Sequence, residues 1–340
     1  MTALAVETCG PMTSLQDTGR TGWQRFGVSR SGAMDRLALA EANALVGNPP
    51  GEAALELTLL GGVFQAVDGP VRVALAGASM RASLGGAPLP PGRSAVLAPG
   101  GSLAIGPATA GVFGYLAVAG GFDVAPALGS LSLQPRAGLG GLGGRALRAG
   151  DRLPLRSQDP QGPDRRLTPA RLEADAPVRV VLGPQDDYFA NDAVAAFLAA
   201  TWTVSAEADR MGYRLAGPVL PHARGYNIVS DGIVAGSVQV PGSGLPIVMM
   251  ADHQTTGGYP KIATVISADL RILAQRPPGG AVRFRAVSVS DAQAAARDRA
   301  RLVASLAGRA VRAEVSLPGV EDLLALNLAG AAADALAPEP

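Results

Sequence analysis

Cysteine is almost missing from this sequence. The 340 residues contain one, Cys9, so no disulfide can form within the chain, which fits a reducing compartment. Lysine is as scarce: Lys261 is the only one, and every other basic residue is arginine. Charge of either sign is low. Charged residues are 17% of the chain against a usual share of about 25%, and the net charge is +1. That leaves no electrostatic footprint for nucleic acid or an anionic membrane. The two histidines, His222 and His253, and Cys9 lie far apart in sequence, which argues against a zinc site. No apolar run approaches the roughly 18 residues of a membrane span. The start, Met1 to Cys9, has no basic region followed by a long apolar stretch, so no signal peptide is read there and a cytoplasmic location is expected. No Gly-x-x-x-x-Gly-Lys-Ser/Thr is present, because the only lysine follows Pro260, so any ATP chemistry does not use a P-loop on this chain. Nor is there a Gly-x-Ser-x-Gly nucleophile elbow, since Gly242-Ser243-Gly244 follows Pro241.

Glycine and proline are abundant instead, 44 and 27 residues, interleaved with short Val/Leu/Ile runs. That pattern points to many short strands joined by turns, and the length to about two domains. The first half opens with a polar, glycine-rich stretch at 15–34, in which Trp23, Phe26 and Val28 argue for order. A helix is expected from Asp35 to about Val46, stopped by Gly47 with Pro49-Pro50 beyond. Residues 54–60 and 63–67 around Gly61-Gly62 read as a two-residue hairpin. Strand signals continue at 71–76, 82–84, 94–97, 102–105 and 112–119, and a barrel or curled sheet is the natural closure. The proline-rich stretch 156–176 marks a boundary. The expected organisation is a β-barrel-like domain at 1–165, a second at 176–310, and a helical extension and tail at 311–340. In the second domain a strand at 178–182 precedes a helix at about 187–200 capped by Asp186. Further strands are expected near 202–206, 213–215, 233–240, 247–250, 261–265 and 282–287. Ser267 is expected to cap a short helix to about 274, Ser290 a helix to about 306, and a last helix spans about 320–328.

The densest polar cluster runs from Asp252 through His253, Gln254, Thr255, Thr256, Gly257, Gly258, Tyr259 and Pro260 to Lys261. It lies between two apolar strands, so it reads as a loop at a sheet edge. Gly257-Gly258 lets backbone N–H groups approach a ligand, Gln254 and the threonines offer donors and acceptors, and Lys261 supplies charge. Such a set suits an anion or a planar amide or ureido group; an ordinary turn satisfying its own backbone is the alternative. In Arg210-Met-Gly-Tyr-Arg214, strand alternation puts both arginines on one face, either as a carboxylate clamp or as a solvated surface. Asp17, Arg20, Arg25, Arg30 and Asp35 form either a binding loop or a self-satisfied salt-bridge network. The glycine-rich tract 138–150 matches no dinucleotide-binding fingerprint.

Six segments occur in order: Gln16-Asp-Thr-Gly-Arg20, Gly32-Ala-Met-Asp35, Asn43-x-Leu-Val-Gly-Asn48, Tyr115-Leu-Ala-Val-Ala-Gly-Gly121, Arg210-Met-Gly-Tyr-Arg-Leu215 and Gln254-Thr-Thr-Gly-Gly-Tyr-Pro260. Together they resemble the biotin-dependent carboxyltransferase-like family that includes allophanate hydrolase subunit 2 and the C subunit of 5-oxoprolinase. The resemblance implies a mainly β fold with a few helices, two cyclophilin-like β-barrel domains and a cleft between them. It implies one component of a multi-subunit, ATP-dependent 5-oxoprolinase that opens 5-oxoproline to glutamate with 5-oxoprolinase subunits A and B, the second of which resembles allophanate hydrolase subunit 1. ATP then acts through the complex, and no cofactor is attached to this chain. Two alternatives are a carboxyltransferase component of a urea or amide carboxylase, with biotin on another chain, and a non-catalytic antagonist of a kinase inhibitor. Relatives often carry Arg at the place of His253, and the position of Lys261 is basic there without being strictly Lys. In the enzyme readings Lys261, Tyr259 and Arg214 are the catalytic candidates. Gln254, Thr255, Thr256, Gly257, Gly258, Gln239, Arg210, Tyr213, Asp17 and Arg20 are the substrate-binding ones.

Overall fold

The computed structural model describes residues 1–156, 162–173 and 175–313; the expected helix at 320–328 and the tail after it lie outside the described residues. The first half carries β1 (Ala3–Cys9), β2 (Ser14–Gln16), β3 (Ala54–Thr58), β4 (Gly62–Val67), β5 (Val71–Leu84), β6 (Ala87–Leu89), β7 (Ser94–Leu97), β8 (Ser102–Val118) and β9 (Arg152–Pro154). After the linker strand β10 (Arg165–Arg166) come β11 (Val178–Leu182), β12 (Trp202–Val204), β13 (Gly212–Ala216), β14 (Asp231–Gly232) and β15 (Ser237–Gln239). They are followed by β16 (Ile247–Met249), β17 (Thr256–Gly257), β18 (Lys261–Val265), β19 (Ala281–Val282), β20 (Phe284–Ala286) and β21 (Val311–Arg312). Four α-helices are described: α1 (Arg36–Val46), α2 (Asn191–Ala199), α3 (Leu270–Ala274) and α4 (Val289–Arg309). The protein is mainly β, built on two barrel-like sheets.

Two long strands organise the first sheet. The four signals at 71–76, 82–84, 102–105 and 112–119 belong to β5 and β8, which pair along both halves of their length. Three register shifts between Gly77 and Ala82 bend the pair, as bulges do. Gly77, at φ 94°, lies so close to the other strand that a Cβ would stand 2.4 Å from the Phe113 carbonyl oxygen. The expected hairpin at Gly61-Gly62 does not form. β3 and β4 both pair with β8, at Phe113–Thr58 and Ile105–Gly62 ends respectively, and not with each other. A Cβ on Gly61 would sit 2.2 Å from the Ile105 carbonyl oxygen, so this glycine permits close approach to β8.

The second sheet runs β19-β12-β13-β16-β15-β18-β11-β20. Its two edge strands are separated in sequence by Arg283 alone, so the sheet must curl until its edges nearly meet. That makes a nearly closed barrel, in which only β11–β20 is parallel.

Helix α1 starts and stops where its signals place it. The Asp35 carboxylate accepts from the N–H groups of Leu37 and Ala38 at 3.1 Å each, and Gly47 closes the last turn at φ 82°. Three other caps differ. Ser288, not Ser290, caps α4, in a reciprocal capping box with Asp291. Asp186 opens one 3-10 turn, and α2 begins at Asn191 without a side-chain cap. Ser267 does not cap α3, which follows Asp269, whose carboxylate is held by Arg179 Nε at 2.9 Å and Nη2 at 2.6 Å.

The buried side chains form two clusters. One fills the first sheet around Leu4, Leu15, Leu55, Phe64 and Leu116. The other runs from α1 (Leu37, Leu45) into the second barrel at Val180, Phe197, Trp202 and Phe284. Since α1 is buried on all sides from Leu37 to Val46, both halves pack against it and share a core.

Candidate functional site

Lys261 opens β18 and its side chain is 3% exposed. Its Nζ donates to Asp231 Oδ2 at 2.5 Å and to the Gly232 carbonyl at 2.9 Å. Asp231 is fixed in turn by Gln185 Nε2 at 3.1 Å and by the pairing of β14 with β17, which sets Asp231 opposite Gly257. The Lys261 ammonium holds the Asp231 carboxyl below its usual range, with Gln185 and the Gly232 N–H adding to the effect. A buried lysine is tolerable only with such a partner.

Gln239, in register with Lys261 across a bulge, is buried. Its Oε1 accepts from Gln254 Nε2 at 3.4 Å and its Nε2 donates to the Tyr259 carbonyl at 3.4 Å. A Cβ on Gly257 would lie 2.6 Å from Gln239 Nε2 and 2.6 Å from Ile233 Cδ1, so only glycine fits beside this amide. Thr255 and Gly258 anchor the loop by accepting at their carbonyls from the N–H groups of Ile233 (3.0 Å) and Ile228 (2.8 Å). Thr256 and Gln254 face outward, and Tyr259 is 40% exposed. His253 is buried, with Nδ1 2.7 Å from the Gln254 carbonyl, and burial lowers its pKa below the ordinary 6.5, which favours the neutral ring.

The predicted arginine face does not form. Arg214 points to solvent in an ion pair with Glu207 at 3.3 Å. It shares a rung with Lys261, through Ile247 and Gln239, but three strand spacings lie between, on the order of 14 Å along the sheet. Arg210 precedes β13 and turns inward. It ion-pairs with Glu56 of β3, with Asp252 (Nε to Oδ2, 2.8 Å), and donates to the Gly32 carbonyl at 2.8 Å. Burial opposes the guanidinium charge, but the two carboxylates overcome it and hold the pKa above its ordinary value. Tyr213 is a core residue: its hydroxyl donates to the Ala274 carbonyl at 2.9 Å, and burial raises its pKa.

Arg210 belongs to a polar network that stitches the halves together. Glu56 accepts from Tyr115 Oη at 2.7 Å and from the Met34 N–H at 2.9 Å. Tyr115 Oη accepts from the Asp35 N–H at 2.7 Å, and Asp35 accepts from Gln275 Nε2 (3.1 Å) and Arg271 Nε (3.3 Å). Gln275 Oε1 closes the junction on the N–H groups of Val112 and Phe113 at 2.8 and 3.0 Å. The expected cleft survives beside this network as a groove of about 1250 Å³, lined by apolar residues such as Ala78, Met80, Leu89, Ile105 and Ile272. Of the residues the sequence singles out, only Asp35 lines it, and its volume alone gives no chemistry.

The Asp17 and Arg20 loop packs on 127–145. The Asp17 carboxylate accepts from the Gly19 and Leu131 N–H groups (2.7 Å each), Ser130 Oγ (2.7 Å) and Ser132 Oγ (2.5 Å). Arg20 donates through Nη2 to the Ser132 carbonyl at 2.5 Å and through Nε to that of Ala127 at 3.4 Å. A Cβ on Gly140 would stand 2.8 Å from Arg20 Nη2, so the glycine-rich tract makes room for an arginine. Among the described residues no group of three His, Cys, Asp or Glu could hold a metal ion, and no helix is long and apolar enough to cross a membrane.

The structure therefore brings Lys261, Gln239, Gln254, Gly257 and Tyr259 together, and sends Arg210, Tyr213 and Arg214 elsewhere. Asp231, Gln185 and Glu56 were not among the sequence candidates, and Asp252 stood in the candidate cluster without an assigned role. Glu56, a carboxylate between two leucines in a strand, carried a readable signal; Asp231, in a polar loop, carried none.

A family profile described as carboxyltransferase domain, subdomain A and B, matches residues 26–286. The chain is 39% identical to the C subunit of 5-oxoprolinase from Escherichia coli over 90% of this chain and 98% of that protein. It is 40% identical to the C subunit of 5-oxoprolinase from Haemophilus influenzae, over 82% and 89%. The crystal structure of the K. lactis urea amidolyase superposes with a TM-score of 0.83 at 28% identity, over 94% of this chain and 20% of that much longer one. With most of its length matched in sequence and fold, the chain belongs to the carboxyltransferase family of subdomains A and B.

Proposed function

We propose that this chain is one component of a multi-subunit, ATP-dependent 5-oxoprolinase, acting with partner subunits A and B in the cytoplasm to open 5-oxoproline to glutamate. The observation that carries this is the 39% identity to the Escherichia coli 5-oxoprolinase component across nearly the whole of both chains. The Lys261 cluster supports it chemically. Opening a lactam breaks its C–N bond and adds water, and the developing charge on the carbonyl oxygen needs a fixed donor. The Lys261 ammonium has three N–H donors, of which Asp231 and Gly232 take two. The third, with the amides of Gln239 and Gln254, suits the N–C=O edge of a lactam, and the partly exposed Tyr259 is the candidate to pass a proton to the departing nitrogen.

The test is glutamate formation from 5-oxoproline and ATP by the reconstituted subunits, with this chain omitted as control. Turnover that requires the chain is the expected result; folded, associated subunits without turnover refute it. The fold likeness to urea amidolyase favours one second reading, a carboxyltransferase component of an amide carboxylase. The only lysine is taken up by Asp231, so biotin in that reading rides on another chain. Avidin separates the two, because it blocks the second activity alone.

A further inference from the structure

We propose that Arg20 anchors a small carboxylate at the junction of the two halves, and that this anchor selects lactam acids over neutral lactams. The choice of a lactam acid rests on the 5-oxoprolinase reading; the carboxylate site itself stands on geometry.

Arg20 is 1% exposed, yet no ion pair neutralises it among the described residues. Two of its nitrogens hold carbonyls, while Nη1 is buried and has no hydrogen-bond partner. Asp17, three residues earlier, is the nearest candidate, but its oxygens are occupied by the Gly19, Ser130, Leu131 and Ser132 donors. An unpaired buried guanidinium is unfavourable unless an anion arrives. Burial accordingly lowers the Arg20 pKa, opposed by Asp17 and Asp252.

The same loop holds more unused donors. Segment 17–20 lies against 30–33: the Arg20 N–H donates to the Arg30 carbonyl at 2.8 Å and the Ala33 N–H to that of Asp17 at 2.9 Å. On this second segment the Ser31 hydroxyl, and just before it the Ser29 hydroxyl, are buried without partners. Ser31 stands at φ 55°, a strained conformation of the kind that persists at functional sites.

Hydrogen bonds connect the Arg20 loop to the segment that precedes Lys261. The Gly32 carbonyl accepts from Arg210, which grips Asp252, and Gln254 two residues on reaches Gln239. A carboxylate held at Arg20 is thereby coupled, through Gly32, Arg210 and Asp252, to the segment that carries the Gln254 amide. One free guanidinium nitrogen and two hydroxyls suit a monoanion, and the nearby Asp252 disfavours a dianion such as phosphate.

The test is calorimetric titration of the full-length chain with 5-oxoproline, with 2-pyrrolidinone (the same lactam without the carboxylate), with acetate and with inorganic phosphate. In wild type 5-oxoproline binds at least tenfold more tightly than 2-pyrrolidinone. In R20Q that preference falls within twofold, R20K retains part of it, and S31G, which glycine's freedom at this φ tolerates, weakens it. No detectable carboxylate binding, equal affinity for the two lactams, tighter binding of phosphate than of acetate, or a folded R20Q that keeps the preference overturns the proposal. If R20Q does not fold, R20K and S31G decide: an unchanged preference in both overturns it. Turnover by the wild-type complex is read separately. Turnover with no carboxylate preference fails the anchor alone, whereas preference without turnover fails the 5-oxoprolinase reading alone. In an active complex R20K raises KM for 5-oxoproline more than it lowers kcat.

Discussion

Replacing Arg210 by Met tests the junction most directly. The substitution keeps much of the apolar stem and deletes the cation shared by Glu56, which is 0% exposed, and Asp252. Removing one partner of a buried ion pair costs about 3–5 kcal/mol, mainly because the other charge is left uncompensated. Here two carboxylates and the Gly32 carbonyl lose their donor together, and their losses do not add because they share it. The expected destabilisation is therefore near the top of that range, about 5 kcal/mol, against a total of about 5–15 kcal/mol for an ordinary domain. Urea unfolding followed by circular dichroism measures it. In a double-mutant cycle, E56Q in the R210M background costs less than E56Q in wild type, with a coupling of about 1–3 kcal/mol, because one orphaned charge is removed. A loss below about 1 kcal/mol for R210M, or strictly additive losses, would refute the account of the junction as a coupled ionic network.

Further outcomes follow from single groups. K261Q lowers kcat of the reconstituted complex by about 100-fold or more while the subunits still associate, as loss of a fixed oxyanion donor does; retention of half the activity removes Lys261 from the site. G257A displaces Gln239 and lowers kcat/KM with little change in Tm, whereas G61A, which presses on the Ile105 carbonyl, destabilises by about 1–3 kcal/mol. Comparing Tm with activity for the pair checks both assignments. His253 links stability to pH. Above its ordinary 6.5 both states are neutral and it contributes no slope. As pH falls from there through the depressed folded value, the unfolded chain takes up a proton that the folded chain does not, so stability drops by at most about 1.4 kcal/mol per pH unit. H253Q flattens that part of the curve in urea titrations between pH 5 and 7.5; an unchanged slope excludes the buried ring as its source.

Local chemistry was legible without the fold. Asp35 and Gly47 bracket α1 because a cap and a left-handed stop are decided within a few residues. The loop from Gln254 to Lys261 was readable as a polar, glycine-rich turn between strands because its glycines and polar groups are contiguous. Long-range pairing was not. The bend in β5 and β8 splits each into two apparent strands, and Gly61-Gly62 has the composition of a hairpin while serving a close approach to β8. Helix caps separated from their competitors by two residues, Ser288 and Ser290, were decided by the pairing with Asp291.

The sequence by itself determined the β-rich composition, the helix α1 and the polar loop before β18, since each depends on residue type and near spacing. The tertiary structure alone decided which charges meet. Arg210 and Arg214 are four residues apart and alternate as a strand should, yet one is buried between Glu56 and Asp252 and the other stands in solvent beside Glu207. Lys261 finds Asp231 thirty positions away, and Arg20 forms no ion pair among the described residues. Charge pairing acts through space over a few ångströms, and only the folded backbone sets which side chains come within that reach.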